Sequence, residues 1–219
     1  MAFLIVKEES VAAEGGSGYI TKSGIYGLTL KHAEVSTTPN GATQINYFFD
    51  KAMSYGNTIL GVNGQPTFGY KILEALASVL GQEELSDPEM TTVTFKKGPK
   101  ELSCIPELND VQVKAWIQIS YRMYKGEIRE DVAVRRFYRS ADNASGSEVL
   151  SGTDIGDRYS KDEAVASEIK YDEGVTAESV AAWKKSQQTG SGSTPSVAAA
   201  SGFPMGGAVK KPSGFPGAQ

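Results

Sequence analysis

The sequence predicts a mainly β protein: a barrel of five or more antiparallel strands with one amphipathic helix set between them. Three observations predict it. Residues 110–139 alternate apolar and polar side chains through two arms, Asn40-Gly41 lies between two further alternating runs, and only residues 69–81 carry apolar side chains at strong helical spacing.

In the first arm of 110–139, Val111, Val113, Ile117, Ile119, Tyr121 and Met123 share one face. Gln112, Lys114, Trp116, Gln118, Arg122 and Tyr124 share the other. The second arm repeats the division, with Ile128, Val132, Val134 and Tyr138 against Arg129, Asp131, Arg135, Phe137 and Arg139. Lys125-Gly126 between them suits a two-residue turn that needs positive φ. Zipped about that turn, Met123 faces Ile128, Ile119 faces Val132, Ile117 faces Val134 and Val113 faces Tyr138. Both arms then choose one apolar face, as register requires when one side is buried. Glu130 and Arg136 interrupt that face and are expected at its margin or paired. On the other face Trp116 meets Arg135, Lys114 meets Phe137, and Arg122 meets Arg129. The last pair calls for a carboxylate or another anion between its charges, a need that Asp131, opposite Ser120, meets in part.

Upstream, residues 3–6 read as a short strand and Gly15-Gly16-Ser17-Gly18 as a link. Residues 19–35 form one long strand, with Gly24 and Gly27 as bend or bulge positions. Asn40-Gly41 turns the chain into a return strand at 43–50, placing His32 opposite Phe49 and Glu34 opposite Tyr47, with neither face clearly the core. A third strand at 57–62 ends at Asn63-Gly64. In the helix, Ile72, Leu76 and Leu80 recur at i, i+4, i+8, and Gly81 stands at the C-terminal cap. Residues 91–95 form a short strand, followed by a basic loop, Lys96-Lys97-Gly98-Pro99-Lys100.

From Ser140 the character changes. Ser160 and Glu163 fit a capping box opening a short helix, residues 176–185 a second one, and Tyr171 and Trp183 are candidate anchors onto the sheet. Beyond Gln188 the Gly/Ser/Ala/Pro composition cannot bury enough surface to offset its ordering entropy. The predicted organisation is a strand-rich domain over 1–145, a helical or loop extension over 146–188 and a disordered tail over 189–219.

The 219 residues carry a formal net charge of -4, distributed as -5 over 1–94, +4 over 95–140 and -3 over 141–219. The basic excess thus falls on the late hairpin, and a ligand meets local potential rather than the total. A single cysteine, Cys104, excludes an intramolecular disulfide. No run approaches a membrane span and no signal sequence is recognisable, so a soluble intracellular protein without membrane contact is expected. His32 is the only histidine, which leaves no zinc set and no Cys/His nucleophile pair. Neither an enzyme nor a cofactor is expected.

A three-stranded meander, a helix and a returning hairpin follow the layout of the OB-fold. The long strand opening with Ser23-Gly24-Ile25-Tyr26-Gly27-Leu28, the Asn40-Gly41 hairpin, the helix ending at Leu80-Gly81 and the Val111-x-Val113 to Tyr124-Lys125-Gly126-Glu127 hairpin resemble small bacteriophage single-stranded DNA-binding proteins. The resemblance spans roughly residues 17–140. It implies a sequence-nonspecific protein that coats exposed single strands during phage replication or recombination, in the cytoplasm of an infected bacterial host. Under it, Trp116, Tyr124 and Phe137 are the expected stacking residues. Lys114, Arg122, Arg129, Arg135 and Arg139 are the phosphate contacts, with Lys96 and Lys97 beside them.

DNA and RNA both satisfy this chemistry, and a homo-oligomer is compatible with it. In the tail, Ser-Gly-Phe-Pro occurs twice, and Phe203, Pro204, Phe215 and Pro216 are candidate hooks for replication or recombination proteins. Two other readings compete. The cationic face is an outer sheet surface on which Arg stems cover rings, or it is a protein interface of a phage structural or assembly protein.

Overall fold

The computed structural model describes residues 18–95 and 98–189. The expected strand at 3–6, Lys96, Lys97 and the tail with Phe203, Pro204, Phe215 and Pro216 lie outside the described residues. The protein is mainly β, as the alternation predicts. Its elements are β1 (Gly24–Thr37), β2 (Thr43–Phe49), β3 (Met53–Leu60), α1 (Phe68–Val79), β4 (Glu89–Phe95), β5 (Gly98–Cys104), a 3-10 turn (Pro106–Leu108), β6 (Val111–Tyr124), β7 (Glu127–Tyr138), α2 (Gly146–Ser151), α3 (Asp157–Glu163), β8 (Lys170–Tyr171) and α4 (Ala177–Thr189).

One sheet runs β3-β2-β1-β5-β4, and β6 joins it along β1 while pairing with β7 and, in parallel, with β8. The first part of β1 pairs with β6, from Gly24↔Ile117 to Leu30↔Val111. The second part pairs with β2 on the opposite edge. This order is compatible with the OB layout, but the sheet is open. Among the described residues no ladder joins β3 to β7, and the gap is crossed by the Val134 N–H donating to Ser54 Oγ at 3.2 Å.

A register shift between Leu30 and His32 decides which side chains of β1 reach the core. Leu28 and Leu30 point inward before it, Ala33 after it, so the inward set changes parity and neither face reads as core from the sequence. The bend falls here rather than at Gly24 or Gly27. The turn after β1 is also longer than the expected two-residue form: Thr38 N–H bonds to the Ala42 carbonyl at 2.8 Å, enclosing Pro39, Asn40 and Gly41, with Gly41 at φ 89°. His32 accordingly pairs with Phe48, not Phe49, and Glu34 with Asn46, not Tyr47. The His32 ring Nδ1 lies 3.2 Å from Asn109 Oδ1, within hydrogen-bonding distance.

α1 confirms the helical spacing. Ile72, Leu73, Leu76 and Val79 are buried against the sheet, Leu80 is the C-terminal cap, and Gly81 follows at φ 70°. The main core collects Leu30, Ile45, Tyr47, Leu76, Ile117 and Phe137. The basic loop expected at 96–100 instead gives way from Gly98 onward to β5, an unforeseen partner for β4. Lys100 and Glu101 stay exposed there while Leu102 and Cys104 are buried with Phe48 and Val93. The capping box sits at Ser145–Glu148 on α2, whereas Ser160 and Glu163 lie inside the last turns of α3.

Candidate nucleic-acid interface

The β6–β7 hairpin follows its predicted register from the tip inward: Tyr124↔Glu127, Met123↔Ile128, Arg122↔Arg129, Ile119↔Val132 and Ile117↔Val134. Lys125 (φ 52°) and Gly126 (φ 83°) make the tight turn. A bulge then intervenes between Trp116 and Ile117. Trp116 pairs with Arg136, Ala115 with Phe137 and Lys114 with Tyr138, each one place beyond the expected partner. Arg135 is the extra residue. It absorbs the step by leaving the ladder, and every later side chain of β7 changes face.

That change corrects several expected roles. Phe137 is fully buried, its ring edge-on to Tyr47 at 5.4 Å, and so cannot stack on a base. Trp116 is half-buried, with an indole N–H that is buried and has no hydrogen-bond partner. Lys114 donates to Asn143 Oδ1 at 2.5 Å and lies 5.6 Å over the Tyr159 ring. Tyr138 donates its hydroxyl to Asp162 Oδ2 at 2.8 Å and packs on Tyr159. Arg136 Nε lies 2.8 Å from the same oxygen but makes no hydrogen bond, so the contact is a charge pair. Arg158 Nε hydrogen-bonds to it at 3.1 Å. Arg139 is held by Asp142 at 2.9 and 2.6 Å, and this bond keeps the Asp142 carboxyl down to about 2. The base of the expected face is therefore covered by α3 and its flanking segments.

The tip is different. Arg122 and Arg129 face one another as predicted, and their repulsion is resolved by separate partners. Arg122 Nε donates to Asp131 at 2.5 Å, while Arg129 lies 4.4 Å over the Tyr124 ring. Arg122 and Lys125 approach the same ring at 5.5 and 5.4 Å, and Tyr124 remains 37% exposed. Displaced from the ladder, Arg135 lies 5.8 Å over Phe68, the first residue of α1, which is 60% exposed. Sequence reasoning missed Phe68, since it heads a helix remote in the chain and nothing in its local pattern links it to Arg135.

The reverse face of the hairpin is apolar as expected: Ile117 and Val134 enter the main core, and α4 covers Ile119 and Tyr121. Tyr121 stacks on Tyr171 and meets Trp183 edge-on, so both predicted anchors hold the extension to the hairpin. Glu130, the first exception on this face, is paired with the Tyr121 hydroxyl at 2.5 Å and Lys184 at 3.3 Å. Arg136, the second expected exception, leaves this face at the bulge and is paired with Asp162 on the other side.

Among the described residues there is no group of three or more His, Cys, Asp or Glu placed to hold a metal ion, and no helix is long and apolar enough to cross a membrane. No protein-family model matches the sequence, and no curated protein is similar to it.

Proposed function

We propose that this protein binds single-stranded DNA without reading its sequence, laying bases on Tyr124 and Phe68 while Arg122, Lys125, Arg129 and Arg135 meet phosphates. The observation that carries the reading is the Tyr124 ring at the turn of a hairpin, open to solvent and approached by three cations at 4.4–5.5 Å. An exposed ring with cations around it offers a stacking surface and charge neutralisation together, the two requirements of single-strand binding. Coating of exposed strands in phage replication or recombination, in the host cytoplasm, is the role that the family resemblance adds. On this reading the protein acts by binding alone.

A second reading is favoured by the other side of the tip. There Met123, Ile128 and Trp183 border an open cleft of about 440 Å³, and Met123 is 46% exposed. An apolar contact of this kind suits a protein partner, as an assembly protein requires. Titrating fluorescent oligo-dT at increasing salt separates the two. Four phosphate contacts predict a slope of log K against log salt of about -3. No binding at low salt would overturn the nucleic-acid reading.

A further inference from the structure

The ends of the sheet are not alike. β7 carries Glu127, Arg129, Glu130 and Asp131 between the turn and the Val134 contact with β3, and such charges discourage further strand pairing. The edge of β3 is met by Ser54's bond to β7 and by α1, whose Gly69 lies against Thr58. β4 has no such protection. It pairs with β5 on one side, and among the described residues no strand pairs with its other side. From Met90 to Phe95 it contains no charge, no proline and no bulge. A six-residue row of that kind is a template for another strand.

We propose that β4 is a self-association edge, on which a second copy of this chain adds its own β4 in antiparallel orientation across a two-fold axis. A two-fold antiparallel pair is isologous, so every contact off the axis occurs twice. The register that pairs all seven residues is centred on Thr92. It sets Met90 opposite the second copy's Thr94, Thr91 opposite its Val93 and Glu89 opposite its Phe95. Charge complementarity favours this partner. Phe95 carries Lys100 at 5.9 Å over its ring, and Lys100 stands beside Val93 on that same face. Glu89 of each copy is thereby brought to the cation of the other, and no like charges meet along the strand. The apolar cluster of Phe48, Val93, Leu102 and Phe95, with Tyr55 half-exposed against Phe48, continues across the axis.

This inference is independent of the nucleic-acid reading, because Thr92 and Thr94 are remote in the sheet order from the β6–β7 tip. Light scattering on the full chain is expected to give twice the chain mass, with dissociation on dilution. A single-chain mass at the highest concentration would overturn the proposal. Thr92→Lys with Thr94→Lys, both at exposed positions, places like charges across the axis and is expected to yield a monomer with unchanged circular dichroism. A dimer persisting in that variant would show that another surface is used, and would overturn it too. As a check that does not depend on that variant folding, Thr92→Cys is expected to form an intermolecular disulfide on mild oxidation, since the two Cβ atoms face each other across the axis. The native Cys104 is fully buried and takes no part. Absence of that cross-link overturns the register and with it the proposal.

Discussion

Trp116 stands opposite Arg136, not Arg135, and that single displaced pair determines what the late hairpin can offer to a ligand. With Arg135 out of the ladder, Phe137 turns into the core beside Tyr47 and Phe49, and Arg136 turns toward the buried carboxylate of Asp162. The hairpin is thus divided. Its base is structural, its tip is open, and the two halves respond to substitution in different ways.

Tyr124→Ala with Arg129→Ala is expected to weaken oligo-dT binding by about 10- to 100-fold, since a single base stack is worth roughly 1–3 kcal/mol. The melting temperature should change little, because Tyr124 is exposed and Arg129 is only half-buried at the hairpin tip. Phe137→Ala should do the reverse. It removes a ring with no exposure and is expected to cost about 3–5 kcal/mol of stability. Parallel thermal melts and anisotropy titrations check both. Normal binding by the tip variant would remove the tip as the site.

The tip was legible in the sequence because turn chemistry fixes register outward from Lys125-Gly126, and alternation holds as long as the ladder is regular. Both arms choose their apolar face correctly from Met123 and Ile128 back to Ile117 and Val134. The base was not legible, because a bulge has no compositional mark here: Arg135 and Arg136 are adjacent, identical in type and both compatible with either face. The same holds for β1, where the step beside Lys31 occurs without a glycine. β5 escaped notice because Gly98-Pro99-Lys100-Glu101 has turn and surface character. Only the later Leu102 and Cys104 alternate, and they need β4 beside them to be read as a strand. Phe68 could be joined to Arg135 only in three dimensions.

Glu148 supplies a pH dependence. Burial by itself would raise its carboxyl, but the backbone N–H groups of Ser145 and Arg158, each at 2.7 Å, outweigh burial and hold it below the usual glutamate value. A carboxyl depressed in the folded state stabilises the fold above its unfolded value of about 4.3. That contribution disappears as pH falls through the folded value. Glu148→Gln puts an amide N–H against one of those donors and is expected to cost about 1–3 kcal/mol near neutral pH. In urea titrations the gap between the two proteins should close below about pH 4. An equal gap at pH 7 and pH 3 would contradict the assignment.

Tyr47 places a hydroxyl in the core without a hydrogen-bond partner, and burial pushes its ionisation well above the ordinary tyrosine range. An unmade bond of this kind leaves a desolvation penalty of about 1–3 kcal/mol with nothing against it. Tyr47→Phe keeps the ring contacts with Phe49 and Phe137 and removes that penalty. Denaturant unfolding should show a variant as stable as the native protein or more so. A marked loss would reveal a partner for the hydroxyl.

Gly69 and Gly27 form a matched pair in which backbone propensity and packing disagree. Alanine is favoured over glycine inside a helix by about 0.8–1.0 kcal/mol, so α1 taken alone should gain from Gly69→Ala. The Cβ, however, would stand 2.2 Å from the Thr58 carbonyl oxygen, on β3 backbone that cannot swing aside. Thr67, the N-cap, is tied to the same carbonyl, so the start of the helix cannot retreat without losing its cap. The steric term wins, and Gly69→Ala is expected to destabilise the fold by several kcal/mol or to displace α1 from the sheet. At Gly27 a Cβ meets nothing within 4 Å, and Gly27→Ala should be tolerated. Thermal melts of the two variants decide it: equal midpoints would mean that α1 does not lie against β3 at Thr58.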